Sequence, residues 1–494
     1  MSEKRFDWYP ILELEELDHF ALTVTRDVTG AYASSRGASP SKREASINRV
    51  AKHLLSALYG GYTIPFAPSA VSVPLRSGSY HATKPGKVRH SYTYGKRVYD
   101  YLLDLEWVEV VGGAHDGKHT RIFPSGDLKD TFDELGLRWA PQALIAPEYL
   151  VLLRDVERRK GKVVRRNGSS VKRDLPVPAT PDVTQMQQNL HEINSFLSKQ
   201  LISLNLSDSN LKNLVVAMNG GPTTAPSPTG EQLHLQDVQL TRIFSRGRMD
   251  LGGRFYRGWW QQIPGRHRPH ITINEKLTVE VDYSAIALRI IYSQIGKPYP
   301  AHDDPYELGF PSWEGKRDER RPAVKRVFNA LINDIDGVYR FTAKDEEELG
   351  VSEGEFRGML ESRHPEIASH LGTDIGLRAQ CIDSQIAEAV MLDLIRLNIP
   401  VLPIHDSFIV TVANAYILVD SMLQHFERLV GSEGGVESDI TKLDEHFDMD
   451  SETVEELADT EDQLVSGSDI ELEELLKGPQ SIMERFEQGW LKLR

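Results

Sequence analysis

A mixed α/β protein of several units, followed by an acidic tail, is what this sequence predicts. Three observations carry that expectation. At 494 residues the chain is too long for one hydrophobic core and fits about three domains of roughly 150 residues. Apolar residues recur at helical spacing in some segments and form short strand-like runs in others, so neither an all-helical nor an all-strand fold suits it. Charge is segregated, because residues 431–480 hold 17 Asp and Glu against Lys442 and Lys477, a net of −15 that equals the net charge of the whole chain. With 40% hydrophobic and 26% charged residues the composition is that of an ordinary globular protein, which excludes disorder throughout. No run approaches the 18 apolar residues of a membrane span, and the opening MSEKRFDWYP lacks the apolar core of a signal peptide, so a cytoplasmic protein with no membrane partner is expected. The single cysteine, Cys381, forms no internal disulfide and no C-x-x-C site, which leaves oxygen ligands or histidine to hold any cofactor.

The first regular segment is SKREASINRVAKHLLSALYGG, in which Ile47, Val50, Ala51, Leu54, Leu55 and Leu58 recur at helical spacing and Gly60 and Gly61 are expected to end the helix. After a polar loop, Val98, Leu102 and Leu105 mark a second helix, followed by a strand over 107–111, a glycine turn over 112–117 and a basic strand over 118–123. That order, over about residues 40–137, resembles winged helix-turn-helix DNA-binding domains. The resemblance implies a winged-helix-like nucleic-acid-binding unit over 1–140; an ordinary helix-plus-hairpin module has the same pattern.

Residues 154–173 carry nine Lys or Arg against Asp155 and Glu157, with an alternation that suggests a basic hairpin or arm, and DLPVPATPD reads as a linker, so 141–182 forms a second stretch. Arg158, Arg159, Lys160, Arg165 and Arg166 are its candidates for contact with nucleic-acid phosphates. A solvated loop is the plainer alternative. Residues 183–215 are mostly helical in pattern, and 219–230 is a loop rich in Gly, Pro and Thr.

The chemistry is concentrated between about 245 and 430. Residues 277–281 read as a strand ending at Asp282, and Ser284 is placed to cap the helix that follows. Further on, Ile382, Ile386, Ala389, Val390, Leu394 and Leu397 form a helical stripe that leads into two apolar runs separated by His405, Asp406 and Ser407. Asp282 and Asp406, 124 residues apart, could therefore meet at neighbouring strand ends of one sheet. Two such carboxylates repel each other unless cations lie between them. Two Mg²⁺ ions about 3.5–4 Å apart would activate an attacking hydroxyl and neutralise a leaving pyrophosphate. Mg²⁺, with Mn²⁺ as its substitute, suits two carboxylates because phosphate oxygens and water complete its octahedron. Either aspartate alone reads as a turn former or a helix cap.

The flanking residues are more specific. VDYSAIALRI around Asp282 resembles motif A of family A DNA polymerases, PIHDSFIV around Asp406 resembles motif C, RPAVKRVFNALIND resembles the motif B fingers helix, and WQQIP resembles the L-Q-N-I-P element upstream of motif A. The four stand in family order over about 165 residues. The chain is thus identified as a member of the family A DNA polymerase and single-subunit RNA polymerase superfamily. The resemblance implies a polymerase palm with helical fingers over 246–430 and a helical, thumb-like or connecting region over 183–245. It implies Asp282 and Asp406 as metal ligands, with the Tyr283 backbone supplying a further oxygen. Arg321 and Lys325, at i and i+4 on one helix face, would grip the incoming triphosphate. Gln262, in the WQQIP element, Gln380 and His405 would contact the primer and template. DLGGRFY resembles both the D-x-R-G-R-x-Y element of phage-type RNA polymerases and the T-G-R segment of the DNA polymerases, which assigns Arg254 to the template hybrid.

Departures from the pattern point to substrate choice. Five residues after Asp282, where family A DNA polymerases carry a Glu that blocks the ribose 2′-OH, stands Ala287, and Ser407 follows His-Asp as in the RNA polymerases. Asn329 and Asn333 replace the fingers aromatics that stack on the incoming base; they either hydrogen-bond the sugar or substitute for the stacking. No proofreading exonuclease pattern is evident. The function expected is template-directed nucleotidyl transfer from NTPs or dNTPs on single-stranded or primer-template DNA, by a primase or primase-polymerase of a phage or mobile element. A conventional primer-extending DNA polymerase is the enzymatic alternative, and a non-catalytic replication initiator or regulatory DNA-binding protein is the alternative of another class. The acidic stretch 431–494 reads either as a solvated segment or as an arm that docks a replicative helicase or other replication protein, or covers the basic channel, with Ile482, Met483, Phe486 and Trp490 as its anchor.

Overall fold

The computed structural model describes residues 3–5, 11–31, 39–62, 70–73, 75, 91–110, 120–137, 143–159, 162–166, 169–219, 233, 235, 237–300, 303–308, 317–334 and 339–438. The fold is mixed α/β. The glycine turn at 112–117, most of the loop at 219–230, Lys160 and the acidic tail beyond Ser438 lie outside the described residues. Among the described residues no helix is long and apolar enough to cross a membrane.

The N-terminal unit runs β1 (Glu3–Arg5), α1 (Glu15–Ala31), α2 (Pro40–Tyr62), β2 (Ala70–Val73), α3 (Tyr92–Asp104), β3 (Val108–Val110), β4 (Thr120–Pro124) and α4 (Gly126–Glu134). Its strands form one sheet in the order β1-β2-β4-β3. The α2 stripe read from the sequence is buried throughout, but the helix does not stop at Gly60 and Gly61; it continues to Tyr62. Burial of most of the final turns outweighs the roughly 1 kcal/mol that each helical glycine costs. The helix over Val98 and Leu102 and the hairpin β3–β4 form as expected, whereas β1 and β2, which extend that hairpin into a four-stranded sheet, have no counterpart in the sequence pattern. These elements share a core of their own, drawn from residues 12–137.

The basic stretch is paired strand. Strand β5 (Val151–Val156) returns antiparallel as β10 (Lys172–Leu175), and between them lie two minimal hairpins, β6 (Arg158–Arg159) with β7 (Lys162–Val163) and β8 (Arg165–Arg166) with β9 (Ser169–Ser170). After α5 (Pro181–Leu197), the expected run of helix is interrupted by strand β11 (Ile202–Leu204) before α6 (Asp208–Asn219). The alternation is too short to read in sequence, yet Ile202 and Leu204 supply apolar contacts to the main core.

From here the chain builds the body that holds the polymerase-like motifs: β12 (Thr241–Phe244), β13 (Gly252–Tyr256), β14 (Ile271–Ile273), β15 (Lys276–Tyr283), α7 (Ile286–Gln294), α8 (Arg317–Asn333), α9 (Ala343–Leu349), α10 (Glu353–Arg363), α11 (Pro365–Ala368), α12 (Ile375–Arg396), β16 (Val401–Ile404), β17 (Ser407–Thr411), α13 (Ala415–Val430) and β18 (Val436–Ser438). One sheet has the order β10-β5-β12-β13, with β5 and β12 parallel. The other has the order β11-β14-β15-β17-β16, and β18 pairs with the end of β15. Helices α7, α12 and α13 bury their apolar faces in the same core as β15 and β17. Asp282 sits opposite Ser407 in the antiparallel β15–β17 ladder, one residue from Asp406.

Candidate functional site

Strand register brings the two aspartates together. Strands β16 and β17 pair up to Ile404 and Ser407, which leaves His405 and Asp406 as a two-residue turn, with His405 at φ +57°. Histidine enters that left-handed region more readily than branched residues do, though at a cost in strain. The Tyr283 amide donates to the Asp406 carbonyl at 3.2 Å, which ties the turn to the end of β15. Asp282 and Asp406 both line a cleft of about 390 Å³ between the sheet and helices α8 and α12.

The same cleft is lined by residues from five other places in the chain. Ala285, Ile286 and Ala287 come from the start of α7, Lys325, Asn329 and Asn333 from α8, Gly376 and Gln380 from α12, Arg254 from β13, and Tyr306 from the segment between α7 and α8. Lys325 is a cation with no hydrogen bond or ion pair to any described residue, so its charge is available to a ligand. Asn333 is already committed: its amide donates to the Asn329 carbonyl at 2.8 Å and its oxygen accepts from Gln380 at 3.0 Å. Asn329 and Tyr306, by contrast, make no side-chain hydrogen bond to a described residue. Tyr306 is 4% exposed; burial and the charges of Asp406 and Asp282 hold its hydroxyl protonated, well above the usual range.

The turn after Asp282 differs from its expected form. Ala285, not Ser284, is the N-cap of α7, at φ +50° and without a side-chain cap. Ser284 is spoken for, its amide donating to the Gly435 carbonyl and its carbonyl accepting from Arg289 Nε at 2.7 Å. Buried Arg289 also donates to the Pro300 carbonyl at 2.6 Å and to the Asp303 carbonyl at 3.3 Å, so one guanidinium binds the turn beside Asp282 to the segment that carries Tyr306.

Two residues expected at the site, Arg321 and Gln262, do not line this cleft. Arg321 shares a helix face with Lys325, but its Nε is bonded to Asp304 at 2.7 Å and its guanidinium lies 5.4 Å from the Tyr306 ring centre, which makes it a brace behind Tyr306. The Tyr283 side chain points into the core, donating to the Met422 carbonyl at 2.7 Å and packing on Phe426, and leaves only the backbone of Tyr283, the part expected at the metal, beside Asp282. Gln262 donates to the Arg257 carbonyl at 3.2 Å; its neighbours Trp260 and Gln261 both donate to the Pro403 carbonyl, anchoring β16 two residues before His405. On the basic hairpins Arg158 is exposed, and the side chains of Arg159, Arg165 and Arg166 lie outside the described residues.

Two further cleft residues, Glu280 and Arg268, are not singled out by the sequence motifs. They are paired at 3.1 Å, and the Ser407 hydroxyl donates to Glu280 at 2.5 Å. Glu280 lies two residues before Asp282, hence on the same strand face, so period-2 alternation could have found it. His405 is held neutral by burial and by Arg254, its ring edge-on to Tyr256, and its Nδ1 has no hydrogen-bond partner among the described residues. Among the described residues no group of three or more His, Cys, Asp or Glu is close enough to hold a metal by itself. Two aspartates at the head of a polar cleft nonetheless fit a hard divalent cation whose remaining ligands come from phosphate and water. No known family model matches the chain, and no curated protein matches it.

Proposed function

We propose that this cleft is the active site of a template-directed nucleotidyltransferase of the family A DNA polymerase and single-subunit RNA polymerase superfamily, working as a primase or primase-polymerase. The observation that carries the reading is convergence: Asp282, Ala287, Lys325, Asn329, Gln380, His405, Asp406 and Arg254, singled out from separated motifs, line one cleft. Unrelated surface residues have no reason to assemble in this way.

Asp282 and Asp406 would hold Mg²⁺, which when bound supplies the positive charge that lowers the barrier to attack of a primer 3′-OH, or an initiating nucleotide, on an α-phosphate. Lys325, on α8 and without a carboxylate partner among the described residues, would stabilise the charge that moves onto pyrophosphate. Arg321 supports this arrangement from behind through Asp304 and Tyr306. The side chain at 287 is a methyl group, which leaves space for a ribose hydroxyl and favours a primase over a conventional DNA polymerase. The paired basic strands from β5 to β10 and the N-terminal α/β unit, read as winged-helix-like, would hold the template.

Primer extension and unprimed synthesis on single-stranded template, with labelled NTPs or dNTPs and Mg²⁺, test the proposal. Wild type should incorporate nucleotides, while Asp282→Ala and Asp406→Ala remain folded and lose incorporation. Removal of the divalent cation by chelation should abolish it likewise. Near-wild-type extension by either variant would remove both aspartates from the chemistry. DNA binding with no synthesis under any nucleotide set would favour a replication initiator.

A further inference from the structure

Two arginines on neighbouring strands reach helix α12, and their hydrogen bonding differs in a way that assigns them different work. Arg242 on β12 is 0% exposed and satisfied on every side chain nitrogen: Nε donates to the Gly253 carbonyl at 2.9 Å, Nη1 to Glu388 at 2.8 Å and Nη2 to Ser384 at 2.9 Å. Its planar face lies against Phe244 and Phe255. That is a closed structural link between strand and helix.

Arg254 on β13 is held at one end only. Its Nε donates to Asp383 of α12 at 2.6 Å, while Nη1 and Nη2 form no hydrogen bond with any described residue. Asp383 is 2% exposed, and the side chain of Arg254 is 17% exposed. The open end of the guanidinium faces the cleft, where the negative charge of Asp406 also acts on it. A desolvated guanidinium with two empty nitrogens lacks acceptors that a ligand must bring.

We infer that Asp383 is a positioning residue, fixing Arg254 so that its two free nitrogens present a donor fork to the primer-template and do not fold over onto Asp406. The inference rests on the nucleotidyltransferase reading. Asp383 and Asp406 both attract Arg254; a guanidinium freed from the first would move toward the second and neutralise a proposed metal ligand. Anchored at Nε, the fork matches paired acceptors such as the N3 and O2 atoms on the minor-groove edge of a base pair. Ser384 and Glu388, the next acceptors along α12, are already taken by Arg242, so Asp383 is the one residue of that helix that serves Arg254.

The test is a double-mutant cycle on the full chain, with Arg254→Gln, Asp383→Asn and the two combined, read as the Kd for a labelled primer-template without nucleotide, beside the thermal midpoint of each variant. Each single variant should weaken binding by about tenfold, as expected when one charge-assisted hydrogen bond is removed. The combined variant should lie within about twofold of the weaker single one, because Asp383 acts only through Arg254. Asp383→Asn binding as tightly as wild type, or a combined loss equal to the product of the two, overturns the inference. Should Asp383→Asn alone be too unstable, Asp383→Glu, which keeps the charge and displaces the anchor, takes its place in the cycle on the same criterion. A wild-type chain that binds no primer-template overturns the polymerase reading and this inference with it, whereas binding by wild type and by Asp383→Asn alike overturns the inference alone.

Discussion

At the residue scale, the methyl group of Ala287 is the feature on which the proposed choice of sugar turns. It lines the cleft with Ile286, Tyr306 and Asn329. On the proposed reading, a glutamate there would fill the space beside the incoming sugar. Ala287→Glu should therefore suppress NTP use more than dNTP use, by at least about tenfold in the ratio of kcat/KM, or about 1.4 kcal/mol of differential transition-state binding. Equal losses for both sugars, measured on one primer-template, would place the sugar elsewhere in the cleft, nearer Tyr306. A second residue prediction concerns pH. Burial pushes the Asp383 carboxyl from 3.8 up to about 6, against the pull of Arg254. The folded state therefore binds its proton more tightly than the unfolded state does. The stabilisation is complete below pH 4 and is lost as pH rises through about 6. Asp383→Asn should flatten that part of the curve of stability against pH, measured by denaturant titration without divalent cations; an unaltered slope between pH 4 and 6 would assign the titration to another group.

At the element scale, the packing of α8 on α12 sets the wall of the cleft, and Gly376 makes it possible. A Cβ on Gly376 would lie 2.6 Å from both the Ile332 carbonyl oxygen and Asn333 Oδ1; the side-chain oxygen can rotate away, but the backbone carbonyl cannot yield without moving the helix end. Gly376→Ala should cost about 1–3 kcal/mol of stability and pull Gln380 off Asn333, raising KM for nucleotide before kcat falls. A variant with unchanged stability and KM would mean that the two helices have more room than their backbones indicate. The same packing explains what is legible in the sequence. Asp282 and Asp406 can be found because strand periodicity and a two-residue turn are local properties. Lys325 and the buried face of α8 can be found because 3.6-residue spacing is local too. That spacing also puts Arg321 beside Lys325, yet helix geometry says nothing of Asp304, which lies outside the helix and takes its guanidinium. Tyr306, Arg268 and Asp383 acquire their places only through tertiary packing, and no spacing rule connects Asp383 to Arg254 across 129 residues. Ser284 fails as a cap for a related reason, since its backbone groups are claimed by Gly435 and Arg289.

At the scale of the whole molecule, charge is divided between a body that would hold nucleic acid and a tail that would repel it. The chain has a net charge of −15, all of it accounted for by residues 431–480, so the remainder is neutral on balance and its basic strands stand out against that background. Strands β5 and β10 carry the two minimal hairpins out from the sheet that also contains β13, the strand of Arg254, and thereby couple the basic extension to the cleft wall. A basic ribbon fixed to the same sheet as a cleft residue can follow a template whose end lies in that cleft. Binding of that kind releases counterions. Neutralising Arg158, Arg159, Lys160, Arg165 and Arg166 together should weaken DNA binding and reduce the slope of log K against log salt by roughly 0.7 to 0.9 for every phosphate that the protein no longer neutralises. The five changes should leave single-nucleotide turnover at saturating template unchanged, because the proposal gives the chemistry to Asp282, Asp406 and Lys325 and the basic residues only to template binding. An unaltered slope with intact folding would make the hairpins a solvated projection and leave template capture to the N-terminal unit, whose own core, separate from that of the cleft, would let it bind DNA in its own right.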